Sequence, residues 1–484
     1  MLSILVCHSY YLRLDQKQVL RAKPYPPLAT LQVAAMLRET GHRVSFFDAM
    51  LAEGASEYER QLQAARPQLV LLYEDNFNFL SKMCLGSMRR AACEMIAAAR
   101  RSGARVIAAG PDVTDAPAPY LEAGADLALS GEGLSALFEV LPRLDSNPAA
   151  DNADLVRGVN GVVSLSGGTL PVNAARKAAP IAATTGLAAW DLVNIDRYRT
   201  VWLKAHGYFS LNMAASRGCP FRCAWCAKPI WGNQYRQRDA AEVAAEMAHL
   251  KQSFNPDHVW FADDIFGFRV DWVTAFAASI KSAGARIPFT IQTRADLVSD
   301  RMAVALKDAG CREAWIGAES GSQRVLDAMN KGTTVAEIRT ARARLKSAGI
   351  RVGFFIQLGY MDEQLGDILA TRQLLDAARP DEIGVSVSYP LPGTKFYELV
   401  KAQLGRKTHW QESSDLEMMF QGTYTSDFYR AIRNLLHDQV SLQTLHAPAG
   451  EEHSRARSAL DRRWQELMSG EMLNRSASRQ AAVR

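Results

Sequence analysis

Three cysteines, Cys219, Cys223 and Cys226, stand in a C-x3-C-x2-C arrangement within Cys219-Pro220-Phe221-Arg222-Cys223-Ala224-Trp225-Cys226. The apolar run 209–215 before them reads as a buried strand. Gly218 and Pro220 argue against a regular helix at the first cysteine, so the motif is expected on a loop leaving that strand. Three thiolates on one tight loop can hold three irons of a cubane. The fourth iron then has no ligand from the motif and is open to a bidentate small molecule.

Two blander readings compete. At i, i+4 and i+7 the cysteines could form one buried helical stripe, and unpaired cysteines are often buried. Gly218 and Pro220 break that helix, and Arg222 would sit between the thiols. A structural zinc usually takes four ligands, commonly from paired C-x2-C knuckles. No second knuckle exists: Cys311 stands alone, and Cys7, Cys84 and Cys93 fall far upstream. An iron–sulfur cubane with one open corner fits the pattern better.

The rest of the chain must position that loop. At 484 residues it is long enough for two or three domains, and 48% hydrophobic with 22% charged residues is a globular composition. The net charge of +5 is small for this length and no basic block occurs, which argues against nucleic-acid binding. No run is apolar and long enough to span a membrane, and the N-terminus lacks a signal-peptide layout. Seven cysteines, three of them crowded into one motif, are not a secreted disulfide framework and point to a reducing, cytoplasmic setting.

Residues 1–145 alternate strands (2–7, 43–47, 68–73, 105–109, 126–129) with helices (28–39, one through Arg100, and 132–141). That alternation implies a doubly wound, Rossmann-like parallel sheet, which binds ligands at the carboxyl ends of its strands. The turns at that edge are His8-Ser9-Tyr10, Asp48-Ala49-Met50, Glu74-Asp75-Asn76, Gly110-Pro111-Asp112 and Gly131-Glu132-Gly133. Singly each is unspecific: Asp48 and Asp112 read as solvated turn residues, and Gly131-Glu132-Gly133 as a tight turn into a helix. Residues 146–195 read as a linker, with an exposed loop at 146–157, a hairpin at 161–172 around Gly167-Gly168, and an Ala-rich crossover at 174–189.

Within 196–400, six strands are expected at 209–215, 258–262, 288–293, 313–317, 351–358 and 382–388, separated by helices. Six βα units imply a partial (β/α)6 TIM-type barrel, whose chemistry belongs at the carboxyl ends of the strands. The cysteine loop follows the first strand, Asp263 and Asp264 the second, Gln292 and Arg294 the third, Glu319 the fourth, Gly359-Tyr360 the fifth and Tyr389-Pro390 the sixth. Residues 401–484 read as a C-terminal helical region, with an amphipathic helix at 424–440 and a surface helix with a frayed tail from 454.

These residues resemble a known family. The C-x3-C-x-aromatic-C loop after the first barrel strand is similar to that of radical S-adenosylmethionine (SAM) enzymes. So are Gly317-Ala318-Glu319-Ser320-Gly321-Ser322, Val325-Leu326, Met329-Asn330-Lys331-Gly332, Gly353-Phe354-Phe355-Ile356 and Pro390-Leu391-Pro392-Gly393-Thr394. The likeness covers about residues 200–400. A doubly wound domain carrying Gly131-Glu132-Gly133 ahead of it looks like the cobalamin-binding branch, which includes methylases and anaerobic cyclases. The Asp-x-His-x-x-Gly string that supplies a cobalt-ligating histidine in many cobalamin domains is absent, and His8 lacks that context.

The resemblance implies a [4Fe-4S] cluster on Cys219, Cys223 and Cys226, with SAM on the open iron and Trp225 near its adenine. It also implies cobalamin without a histidine ligand to cobalt, contacted by Gly131, Glu132 and Gly133. Acceptors for SAM are sought at Asp263, Asp264 and Glu319, and a cation for its carboxylate at Arg294. Each has an ordinary alternative: Glu319 capping the next helix, Arg294 pairing with Asp296, Asp264 in solvent. Tyr10, Tyr73, Phe77, Tyr360 and Tyr389 could line a substrate or corrin cavity, or be core aromatics.

The cofactors carry the hard chemistry and the protein supplies placement and exclusion of water. The reaction implied first is C-methylation of an unactivated carbon of a small molecule, with the electron coming from a flavodoxin or ferredoxin. Oxidative cyclisation or ring rearrangement is the alternative within the branch. A methylthiotransferase should carry three further cluster cysteines, and Cys84 and Cys93 fall inside an expected helix. A non-catalytic cobalamin- or cluster-binding sensor is the alternative from another class, but a sensor has no need of an open iron.

Overall fold

A computed structural model describes residues 1–78, 86–165, 187–226, 234–404, 416–444 and 451–476. The described residues divide into two compact units, one of 1–219 with 234–264 and the other of 220–226, 265–404 and 416–476.

The first unit holds β1 (Ser3–Cys7), β2 (Arg43–Phe47), β3 (Leu69–Tyr73), β4 (Arg105–Ala109), β5 (Leu127–Leu129) and β6 (Val162–Val163), in the order β2-β1-β3-β4-β5-β6. The first five are parallel, as the alternation predicts; β6 runs antiparallel to β5. β1 and β3 are buried along their whole length, as strands covered on both faces must be. Cys7 lies beside Phe47 and Leu72, and Tyr73 beside Ala109. This register brings the turns after these strands to one edge. The order reverses between β1 and β3, the switch point at which such sheets take ligands.

Further along the same unit, β7 (Ser210–Met213) pairs in parallel with β10 (His258–Phe261). Between them β8 (Ser216–Arg217) pairs antiparallel with β9 (Arg236–Gln237). This two-residue ribbon joins the two ends of the segment that carries the cysteines. The second unit holds β11 (Phe289–Thr293), β12 (Cys311–Glu319), β13 (Arg351–Leu358) and β14 (Glu382–Val387), each parallel to the next. All six expected strands of 196–400 are present, with helices between them. β12 is longer than expected, because its pairing continues past a register shift to Glu319.

Some expectations needed correction. Residues 146–157 are not simply a loop: Asn152–Val156 is a short helix, capped by Asp151, with Leu155 buried. The helix Ala55–Ala65 escaped the sequence reading because only Tyr58 and Leu62 of it are buried. The first strand of the expected 161–172 hairpin pairs back onto β5; Gly167-Gly168, Cys84, most of the crossover and the last eight residues lie outside the described residues. Among the described residues no helix is long and apolar enough to cross a membrane.

The C-terminal helix is more than a surface helix. Glu451–Ser469 buries Leu460 and Trp464, and the Arg372 guanidinium lies 4.7 Å from the centre of the Trp464 ring. Thr425 and Ser476 extend the closure by backbone hydrogen bonds to Asn474 and Thr423. Trp464→Ala is therefore expected to cost about 3–5 kcal/mol, read as a lower urea midpoint with an unchanged slope.

Candidate active site

The carboxyl edge of the first sheet is built from buried polar groups. Glu74, fully buried, accepts from the Ser9 amide at 3.0 Å and from the Ser9 hydroxyl, bridging the β1–β3 switch point. Its Oε2 and the Oδ1 of Asn76 have no hydrogen-bond partner. Burial raises the Glu74 carboxyl above its ordinary range. Gly110 is required beside it, since a Cβ there would lie 2.6 Å from the Glu74 Cβ. Asp75 caps the helix Leu28–Glu39 from a distance, accepting from the Ala29 amide at 3.0 Å.

Asp112, read from sequence as solvated, is fully buried between Arg89 and the Tyr120 hydroxyl. Burying the Arg89 charge demands that anion. Asp48 is only partly exposed and accepts from the Tyr198 hydroxyl at 2.7 Å, with His8 Nε2 at 3.0 Å. The same His8 nitrogen lies 3.1 Å from the Ala49 amide, so the imidazole braces this turn.

The stem of the cysteine loop meets this edge through Arg217, on the ribbon strand β8. Its guanidinium pairs with Glu132, bonds Gln32, and lies 5.8 Å from the centre of the Phe77 ring. Glu132 is itself buried, which pushes its carboxyl up while Arg217 pulls it down. Tyr73 donates to the Glu132 carbonyl at 2.8 Å. Gly133 turns here with φ +71°, and a Cβ would meet Leu129 at 2.8 Å. Asp263 holds the other side of the stem, accepting from the Ala215 amide at 3.0 Å and from Ser216 Oγ. Its burial raises the carboxyl to about 7.

In the second unit the body of the loop rests on the turn 329–332. Ala224 donates to the Met329 carbonyl at 2.8 Å and accepts from the Phe396 amide at 2.9 Å. Asn330 Nδ2 donates to the Arg222 carbonyl at 2.7 Å. Arg294 is 5% exposed and covers the loop from the end of β11. It grips both carboxylate oxygens of Asp296 at 2.9 and 3.0 Å, and donates to the Lys331 carbonyl at 2.7 Å. Its remaining nitrogen points at Cys223 Sγ, 3.6 Å away, and its Cζ sits 3.7 Å over the Phe221 ring. Lys331 Nζ donates to Glu319 at 2.6 Å, both side chains being buried. Glu319 takes a left-handed φ of +59°, and Gly317 leaves room for the pair, since a Cβ there would lie 2.6 Å from each partner.

Placement thus differs from several first expectations. Glu319 pairs with Lys331 and caps no helix; Arg294 takes the Asp296 alternative; Asp263 serves the loop stem, while Asp264 is half-buried. The hydroxyls of Tyr10, Tyr73 and Tyr360 bond Asp15, Glu132 and Ala328, and Tyr360 stacks on Phe396 at 4.8 Å. Sequence reading overlooked Arg217, and gave no role to Lys331 and Asn330. The signal for the latter two was the Met329-Asn330-Lys331-Gly332 turn, whose Asn330 and Gly332 both have positive φ.

The motif cysteines form no disulfide, and Cys223 and Cys226 are partly exposed. Among the described residues no group of three His, Cys, Asp or Glu side chains is gathered around a single metal position. A cubane takes one thiolate per iron, so its cysteines stand further apart than ligands sharing one ion. The soft thiol donors suit such a cluster. Trp225 beside them holds a buried Nε1 without a hydrogen-bond partner.

Comparison with known proteins places this architecture. Residues 213–375 match the radical SAM superfamily. An uncharacterised methyltransferase of Pyrococcus horikoshii is 24% identical over 378 residues, covering 77% of this chain and 78% of that protein. An anaerobic magnesium-protoporphyrin IX monomethyl ester cyclase of Cereibacter sphaeroides is 28% identical, over 58% of this chain but only 45% of the cyclase. The fold is shared with the radical SAM methyltransferase TsrM of Kitasatospora setae, solved with cobalamin and a [4Fe-4S] cluster: TM-score 0.64 and 18% identity, covering 82% of this chain and 78% of that one.

Two outcomes follow from the buried acids. Lys331→Met strands the Glu319 carboxylate, and is expected to cost about 3–5 kcal/mol in denaturant unfolding. Glu363, fully buried, accepts from the Gly359 amide at 2.6 Å and has its carboxyl raised to about 8. It stays protonated in the fold while its unfolded counterpart ionises, so stability falls as pH rises from about 4.5 to about 8 and then levels. Asp115 and Asp263, each raised to about 7, act in the same direction. Glu363→Gln should flatten the decline in melting temperature across that window without removing it.

Proposed function

We propose that this chain, which carries a radical SAM domain, is a cobalamin-dependent radical SAM enzyme that transfers a methyl group to an unactivated carbon of a small molecule. The observation that carries the reading is the junction at Arg217, where the Gly131-Glu132-Gly133 turn of the Rossmann-like sheet is tied to the stem of the cysteine loop. That pairing ties the residues just before Cys219 to the sheet edge at which such folds take a ligand. The alignment with a methyltransferase over most of both chains supports methyl transfer. Cyclisation is the weaker reading, because the cyclase is matched over less than half its length.

In this reading Cys219, Cys223 and Cys226 hold a [4Fe-4S] cluster and Trp225 offers its indole N–H to SAM. Glu319, Asp264 and Asp263 remain the candidate acceptors for SAM. The orphaned oxygens of Glu74 and Asn76 after β3, with Gly131, Glu132 and Gly133 after β5 on the same edge, suit a polar cofactor at the carboxyl ends of the strands. No histidine is assigned to cobalt, since His8 is engaged with the Asp48 turn. When bound, the cluster and SAM supply a carbon radical and cobalamin supplies a transferable methyl group. The chain's own part is to keep the loop rigid: Ala224, Asn330, Arg294 and Arg217 fix it by hydrogen bonds. A low-potential donor of the flavodoxin or ferredoxin class provides the electron.

The test is a product count with anaerobically reconstituted protein and dithionite. Release of S-adenosylhomocysteine together with 5′-deoxyadenosine supports methyl transfer; 5′-deoxyadenosine alone supports the cyclase-like alternative, and no SAM cleavage supports a sensor. Cys223→Ala should abolish the visible absorbance of the cluster, and survival of that band would sink the assignment.

A further inference from the structure

We propose that Arg294 is a positioning residue for the iron–sulfur centre: its guanidinium donates a hydrogen bond to the Cys223 sulfur and raises the reduction potential of the cluster bound there. The inference rests on the reading of Cys219, Cys223 and Cys226 as cluster ligands. Its position after β11 made Arg294 a candidate partner for a SAM carboxylate, but its donors are directed elsewhere. Nε and Nη2 take the two oxygens of Asp296, Nη2 also reaches the Lys331 carbonyl, and Nη1 faces Cys223 Sγ at 3.6 Å. One face of the guanidinium is covered by the Phe221 ring at 3.7 Å. The side chain is 6% exposed, so water competes little for the sulfur-facing N–H.

The chemistry follows from this arrangement. A guanidinium does not give up its proton in a protein, so the donor aimed at Cys223 is permanent. Reduction adds one electron from an external low-potential donor and spreads negative charge onto the sulfurs; Arg294 exchanges no proton and forms no bond. Hydrogen bonds to cluster sulfurs and local net charge are two levers by which a protein sets such potentials. Asp296 cancels much of the arginine's net charge, which leaves the directed N–H as the main effect. The same carboxylate locks the plane of the fork. Phe221, Arg222, Ala224 and the turn 329–332 therefore serve one end, holding the Cys223 sulfur against a fixed donor.

Wild type, Arg294→Gln and Asp296→Asn are reconstituted anaerobically as the 484-residue chain. Each is assayed for iron and sulfide, then titrated with dithionite against mediators under electron paramagnetic resonance. Arg294→Gln is expected to keep its iron and to lower the one-electron reduction equilibrium about tenfold, a fall of about 59 mV. Asp296→Asn keeps one oxygen acceptor for the fork, with Phe221 and the Lys331 carbonyl still in place, and removes only the neutralising charge, so the cluster's potential should rise. Opposite signs in the two variants are what a merely structural role would not produce. Unchanged potentials at equal iron content, or shifts of the same sign in both, overturn the proposal. If Arg294→Gln fails to load, Asp296→Asn decides: an upward shift supports the proposal, and none or a downward one refutes it. A wild-type chain that takes up no cluster overturns the reading of the cysteines themselves, and the inference with it.

Discussion

A guanidinium withdrawn from water must be surrounded by anions and acceptors, or the fold loses several kcal/mol. Two arginines, Arg294 buried and Arg217 mostly so, impose that demand on the cysteine motif. Arg217, on the short ribbon before Cys219, is answered by Glu132 and Gln32. Arg294, reaching Cys223, is answered by Asp296 and the Lys331 carbonyl. Asp296 is a near neighbour of Arg294, but Glu132, Gln32 and the Lys331 carbonyl come from distant parts of the sequence, so satisfying the charge also fixes where the chain passes. A loop with Gly218, Pro220 and three thiols has little regular structure of its own to hold it, and these charges supply the constraint.

The segments similar to the radical SAM family acquire a physical reason from the same constraint. Met329-Asn330-Lys331-Gly332 is a platform: Met329 and Asn330 bond the loop backbone, Lys331 offers its carbonyl to Arg294 and its ammonium to Glu319. The stretch after Pro390-Leu391-Pro392-Gly393-Thr394 adds the Phe396 amide, which reaches the other side of Ala224. Gly317 keeps space for the Glu319–Lys331 pair. Substituting any of these would disturb the cysteine loop without touching a thiol.

The layered fold was legible because its signals are local. Strands 43–47, 105–109 and 351–358 and helices 28–39 and 335–347 coincide with the observed elements, since each is an apolar run or periodic stripe bounded by turn residues. Asp112 shows where local reading stops. An aspartate after Gly-Pro looks like a solvated turn, yet the Arg89 and Tyr120 that enclose it lie 23 and 8 residues away. The C-terminal helix shows the same limit, since nothing local announces that Trp464 is fully buried.

The sequence by itself determined the kind of chemistry: thiol spacing, the residues that break helix at Cys219 and the order of βα units are properties of neighbouring residues. Only the tertiary structure decided which charges are spent on holding the loop. Asp263, Arg294 and Glu319 all follow strands, and residue type alone cannot tell a solvated group there from a buried, paired one. That distinction depends on desolvation, which no residue carries with it and which exists only once Ser216, Asp296 and Lys331 have been brought alongside.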